Sequence, residues 1–113
     1  MAIKTRTIDG ILIFDVSGDD LNFLKEDLRV VIEEASKKTV KIIINLKEVQ
    51  NMNSHVIGSI SAVKRMLSSM KGDLVVINLS ERISNIFKVV HLDKIIKTTA
   101  NEQEAINYLK NLS

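Results

Sequence analysis

The run Val40-Lys41-Ile42-Ile43-Ile44-Asn45-Leu46 is almost unbroken in its apolar character and rich in β-branched residues, and it constrains the fold more than any other stretch. Such a run reads as a strand covered on both faces. Soon after it, Ile57, Ile60, Val63, Leu67 and Met70 fall at spacings of three and four, which marks one face of a helix running from Ser54 to Met70. A buried strand followed at once by an amphipathic helix demands a layered α/β arrangement, because each must bury its apolar side against the other. At the changeover, Asn53-Ser54 offers side-chain oxygens where the helix has free N–H groups. The Ser54 hydroxyl is thereby placed at a strand-to-helix turn, near the positive end of the helix dipole.

The rest of the chain repeats this alternation. Ile3 to Ile8, with charged and polar residues between, predicts an edge strand, and Asp9-Gly10 predicts a two-residue hairpin turn into Ile11–Val16. Gly18-Asp19-Asp20 breaks that strand, and a helix begins near Asp20 to Asn22 with Leu24, Leu28, Val31, Ile32 and Ala35 on its buried face. After the central strand and helix, Gly72 is the expected C-cap, and Leu74–Ile77 reads as a second fully covered strand. Ser80 suits the cap of a helix carrying Ile83, Ile86, Phe87 and Val90 on one side. Lys94–Thr99 predicts a last, weaker strand, and Asn101 with Glu104 forms a capping box ahead of Ala105, Tyr108, Leu109 and Leu112. The order is β-β-α-β-α-β-α-β-α: one α/β domain over 1–113, with a mixed, mostly parallel sheet of about five strands and four helices.

Composition narrows the function. The 16 basic and 14 acidic residues nearly balance, and no basic block or aromatic platform suggests nucleic acid as a partner. Lys37-Lys38 and Lys64-Arg65 read as solvated helix faces. The absence of cysteine removes disulfides, thiolate catalysis and thiolate zinc sites. The amino terminus lacks the apolar stretch of a signal peptide and no segment is long enough to span a bilayer, so a cytoplasmic protein without membrane insertion is expected.

Catalytic constellations are hard to find. Neither His55 nor His91 has a partner at metal-ligand spacing, and His91 reads as a packing residue. His55 follows Ser54 directly, whereas a Ser-His pair needs the imidazole folded back onto the hydroxyl and an orienting acid. The glycines at 10, 18, 58 and 72 are isolated, so no phosphate-cradling loop exists. Asp15, Asp19 and Asp20 read better as strand-end and capping residues than as magnesium ligands. The chain is expected to be no enzyme and to carry no cofactor.

The stretch Asn45-Leu46, Val49 and Met52-Asn53-Ser54-His55-Val56-Ile57-Gly58 resembles the STAS-domain family, in particular bacterial anti-sigma-factor antagonists. Their usual pattern is an apolar strand ending Asn-Leu, then Met-Asp-Ser-Ser-Gly-Leu-Gly at a helix start. Gly72–Val76, Ser80–Ile83 and Phe87–Ile96 are similar to later parts of that family. The resemblance implies a STAS-like fold and a phosphoacceptor role for Ser54. It implies a partner-binding surface of Asp19, Asp20, Asn53, Ser54, His55, Val56 and Ile57. The implied partners are a serine kinase that is itself the anti-sigma factor and a PP2C-type phosphatase, with the chain a monomer or weak dimer. Asn53, His55 and Val56 replace the pattern's Asp, second Ser and first Gly, which keeps two other readings open. One is a scaffold or a subunit of a signalling assembly or lipid-transport ATPase; the other is a small-molecule or nucleotide-binding module.

Overall fold

The structure is a computed structural model that describes residues 2–17, 30, 32–52 and 54–112. Five strands form one sheet in the order β1-β2-β3-β4-β5. These are β1 (Ala2–Ile8), β2 (Ile11–Ser17), β3 (Lys41–Glu48), β4 (Asp73–Ile77) and β5 (Lys97–Thr99). Strands β1 and β2 are antiparallel, and every later pair is parallel. The hairpin turn works as the sequence predicts: Asp9 and Gly10 both take positive φ, 52° and 78°, matching the twist of the strands they join.

Three helices are described in full: α1 (Ser54–Ser69), α2 (Glu81–Val89) and α3 (Glu102–Lys110). Residues 30 and 32–35 are helical as well, and the rest of the expected first helix, with Leu24, Leu28 and Val31, lies outside the described residues. The sheet has two apolar faces of unequal size. One face joins Phe14, Ile42, Ile44, Leu74 and Val76 to Ile32, to Val56, Ile60, Val63 and Leu67 of α1, and to Ile83 and Phe87 of α2. The other joins Ile11, Ile13, Ile43, Val75 and Ile77 to Ala105, Ile106 and Leu109 of α3. Alternation along β3 sends Ile42 and Ile44 one way and Ile43 the other, which is why the run had to be apolar throughout.

The helix caps follow local chemistry. The Ser80 hydroxyl accepts from the Ile83 N–H at 3.1 Å, and the Asn101 side chain accepts from the Glu104 N–H at 2.9 Å. Glu104 reaches back to the N–H of Ala100 at 3.2 Å, so the expected box closes one residue further out.

Five expectations need correction. Gly72 is not the left-handed residue after α1; Lys71 is, with φ 63°. Gly72 instead follows it, its N–H bonded to Leu67 O at 2.8 Å. The last strand starts at Lys97, because Leu92–Lys94 form a 3₁₀ turn whose end is closed by Ile96 N–H on Leu92 O at 2.8 Å. His91 is exposed at a positive φ of 63° and opens that turn, rather than packing. Met70 and Val90 end their helices 42% exposed, while Val56 takes the place in the α1 core stripe expected of its neighbour Ile57. Lys64 is no solvated cation: its ammonium lies 2.5 Å from the Asp73 carboxylate.

Candidate functional site

The candidate site is the passage from β3 into α1. After Glu48 the chain turns, with the Val49 N–H donating to Leu46 O at 3.0 Å and the Met52 N–H donating to Asn51 Oδ1 at 2.9 Å. Val49 is fully buried and Met52 is 7% exposed, so two apolar anchors pin the connection to the same core that α1 covers. The entry point of α1 is thereby fixed on both sides.

Val56 and Ile60, one turn apart, turn one side of α1 onto the sheet. At 100° per residue, Ser54 lies about 200° around the helix from Val56, which directs it away from the core. Ser54 is accordingly exposed, as the first helical residue. Gly58 follows one turn later on the same side, also exposed, and a Cβ built there would meet nothing within 4 Å. The two positions form a bare strip at the helix start. The first turn of α1 holds no acidic side chain, so no carboxylate offsets the positive end of its dipole there.

Of the residues expected at a partner surface, Ser54 is exposed and Ile57 is half-buried at the edge of the core. Val56 is a correction: at 2% exposure it belongs to the core, because the helix phase turns it onto the sheet. His55 is helical, and its side chain lies outside the described residues, as do Asp19, Asp20 and Asn53 altogether.

A polar chain that sequence reasoning did not anticipate backs the site on the opposite face of the sheet. Arg6 grips Asp15 through two bonds, of 2.6 and 2.9 Å, and reaches Glu102 of α3 at 2.6 Å. Asn45 donates to Asp15 at 2.8 Å and accepts from Asn78 at 3.0 Å and from the Lys47 N–H at 3.0 Å. The Arg6 guanidinium, followed by the Asn45 amide, holds the Asp15 carboxyl below the usual carboxylate range against its partial burial. Asn45, near the end of β3, is the middle of this chain, so the strand from which the switchover departs is tied to β2, β1 and the segment after β4. The Asn at that position was a visible signal; its side-chain partners Asp15 and Asn78 were not, since both come from distant parts of the sequence.

The same residues floor an open hollow of about 370 Å³ with Lys4, Ser17 and Lys47 on its rim. Its central groups, Arg6, Asp15 and Asn45, are already paired with one another. Among the described residues, no group of three or more His, Cys, Asp or Glu is placed to hold a metal ion, and no helix is long and apolar enough to cross a membrane.

The STAS-domain family model matches residues 2–105. Among solved structures, an anti-sigma-factor antagonist from Mycobacterium paratuberculosis aligns with a TM-score of 0.85 at 17% identity, over 97% of this chain and 94% of the other. RsbS from Moorella thermoacetica aligns with a TM-score of 0.82 at 13% identity, over 99% and 97% of the two chains. The Bacillus cell-fate determinant SpoIIAA, in its phosphorylated form, gives 0.75 at 22% identity, over 95% and 98%. At these identities the likeness is one of fold.

Proposed function

Because the chain belongs to the STAS-domain family, whose model spans nearly all of it, we propose that it is an anti-sigma-factor-antagonist-like regulator. It binds a partner serine kinase that is itself the anti-sigma factor, and phosphorylation of Ser54 switches that binding off. A PP2C-type phosphatase would reverse the switch. The observation that carries this reading is the exposed hydroxyl of Ser54 at the outer side of an anchored helix start.

Phosphorylation there adds a charge of about −1.5 to −2 and three acceptor oxygens. Within the free protein, the N–H groups and dipole at the start of α1 accommodate that charge, so modification need not disturb the fold. At a flush protein contact, the same group introduces bulk and a desolvation cost. The switch therefore acts on the complex and not on the domain.

Gly58 supports the same surface. An exposed glycine inside a helix costs about 1 kcal/mol relative to alanine. Nothing in the fold demands it: its φ is not positive and a Cβ would meet no neighbour. A partner lying flat against the first two turns of α1 gives that bare backbone a purpose. Burial of Val56 also means that the β-branched residue does not roughen the surface beside Ser54.

The test begins with capture of the partner from the source cell on the immobilised protein. Incubation of the captured kinase with ATP, followed by mass spectrometry of peptides, should place phosphate on Ser54. Ser54→Asp should weaken the complex and Ser54→Ala should make it permanent. A stable complex indifferent to both substitutions would replace this reading with that of a scaffold subunit.

A further inference from the structure

Strands β2 to β5 run parallel, so all four begin at one end of the sheet. Ser54 lies at the other end, where β3 gives way to α1. Lysine dominates the end at which the strands begin. Lys37, Lys38 and Lys41 line an open hollow of about 470 Å³ beside the Asp9-Gly10 turn. Lys71 stands just ahead of β4, and Lys94 and Lys97 bracket the entry to β5. The carboxylates nearby are Asp9, Glu33, Glu34, Asp73 and Asp93. Asp9 is taken up by Lys110 at 3.6 Å, Glu34 by Lys37 at 3.3 Å, and the buried Asp73 by Lys64. Among the described residues, Lys38, Lys41, Lys71 and Lys94 carry no ion pair. Lys97 rests on the face of Tyr108, 5.3 Å from the ring centre, and keeps its charge.

Two large aliphatic side chains are bare among these cations. Met70, 42% exposed, precedes Lys71, and Ile95, 54% exposed, lies between Lys94 and Lys97. The register sets their level: Lys41 pairs with Asp73 and Val75 with Lys97, so Ile95 falls beside the first residue of β4. Cations just behind a helix end compensate its dipole, which accounts for Lys37 and Lys71. Dipoles account neither for Lys41 and Lys97 on their strands nor for the exposure of Met70 and Ile95.

We propose that this end of the domain docks on an anionic lipid surface, with the lysines over the headgroups and Met70 and Ile95 at the acyl boundary. Cations spread across several strands match a plane of negative charge better than one acidic ligand. The aliphatic pair selects lipid over nucleic acid, because a phosphodiester backbone offers it no apolar partner. A few cations and two short anchors give reversible, peripheral binding and no insertion. Helix α1, of 16 residues, is about 24 Å long. Docking at its far end leaves Ser54 directed away from the bilayer, and the proposal holds whether or not that hydroxyl is modified.

Flotation of the full chain with vesicles of phosphatidylcholine, alone or with about 30% phosphatidylglycerol, tests the proposal. The chain should float with the anionic vesicles, stay behind with the neutral ones, and be released by salt at about 0.5 M. Lys38→Gln and Lys41→Gln should each weaken binding about fivefold. Lys47→Gln, at the other end of β3, should leave it unchanged. Ile95→Ser should weaken it several-fold at constant charge, with circular dichroism unaltered. A chain that ignores anionic vesicles at low salt overturns the proposal. So does binding that Ile95→Ser leaves intact, or that Lys47→Gln weakens as much as Lys38→Gln does. Tighter binding to a double-stranded oligonucleotide than to the anionic vesicles overturns it as well, since the surface would then serve another polyanion.

Discussion

The Tyr108 hydroxyl on α3 donates a 2.6 Å hydrogen bond to Asp73 Oδ2 at the first residue of β4. The other carboxylate oxygen accepts from Lys64 on α1 at 2.5 Å and from the Leu74 N–H at 2.8 Å. Helices α1 and α3 cover opposite faces of the sheet, so a single carboxylate, only 8% exposed, clips both layers to its edge. Tyr108→Phe removes one bond to a charged acceptor and should cost about 1.5–3 kcal/mol. Asp73→Ala leaves the ammonium and the hydroxyl without their acceptor and should cost more, about 3 kcal/mol or above. Urea denaturation with an unchanged slope would report both losses as stability.

The same carboxylate sets the pH limits of the fold. Burial works to raise the Asp73 carboxyl, but the bonds from Lys64, Tyr108 and the Leu74 N–H together hold it below the usual carboxylate range. Tyr108 is pushed up to about 12, first by its bond to Asp73 and then by burial. In acid, the unfolded chain takes up the Asp proton at about pH 4, before the folded chain does. The contribution of Asp73 is thus complete above about pH 4 and is lost as pH falls through the folded value. For Tyr108 the sign reverses: its contribution is complete below about pH 10 and is lost as pH rises through about 12. Tyr108 is the only tyrosine, so tyrosinate absorbance reads it alone. Asp73→Asn should move that titration back toward about 10 and shallow the acid limb of stability. A tyrosine that still titrates near 12 in the variant would break the link.

Gly72 and Val40 touch backbone to backbone. A Cβ at position 72 would lie 2.1 Å from the Val40 carbonyl oxygen and 2.4 Å from its Cβ, while the Asp73 N–H bonds that same oxygen at 3.0 Å. The oxygen belongs to the turn into β3 and cannot retreat without losing that bond. Gly72→Ala should therefore destabilise by about 2–4 kcal/mol, visible as a lowered Tm. Lys71→Gly, at the left-handed position beside it, should be neutral or stabilising by several tenths of a kcal/mol.

Where the sequence was legible, the determining chemistry was local. Asp9-Gly10 specifies its turn through the φ values those residues tolerate, and Ser80 and Asn101 specify helix starts through side-chain oxygens within three residues of their donors. The order of elements along the chain was legible from periodicity, whereas the order of strands in the sheet, in which each crossover carries the chain one place along, came only from the structure. Phase was less legible. Val56 and Ile57 are both aliphatic, and a period of 3.6 fits either, so only the packed helix decides that Val56 faces the sheet. Lys94-Ile95-Ile96 has the composition of a strand, but closure of the 3₁₀ turn on Leu92 delays β5 to Lys97. Lys64, Asp73 and Tyr108 carry no shared local signal, because the contact exists only once two layers have assembled around β4. Ser54 was legible for the opposite reason: its place depends on a neighbouring strand and helix whose patterns are strong.

Gly58 separates the surface from the fold more sharply than Ser54 can. Replacement of Ser54 changes both the modified atom and the surface around it, whereas Gly58 carries no reactive group. The helix gains about 0.5–1 kcal/mol when Gly58 becomes Ala, since the position is exposed and open. Gly58→Arg should likewise leave Tm unchanged or raise it, because arginine is a good helix former and nothing lies within 4 Å of its Cβ. A partner seated flat on the first two turns of α1 would meet that side chain directly and lose at least tenfold in affinity, about 1.4 kcal/mol. Val56→Ala should do the reverse: it opens the core at a 2% exposed position, lowers stability by about 1–3 kcal/mol, and leaves the binding surface of the folded fraction in place. Calorimetric Tm and captured-partner affinity would therefore separate: Gly58→Arg lowers affinity without lowering Tm, and Val56→Ala lowers Tm without lowering the affinity of the folded fraction. If Gly58→Arg binds as the parent does, the partner does not lie on this strip, whatever happens at Ser54.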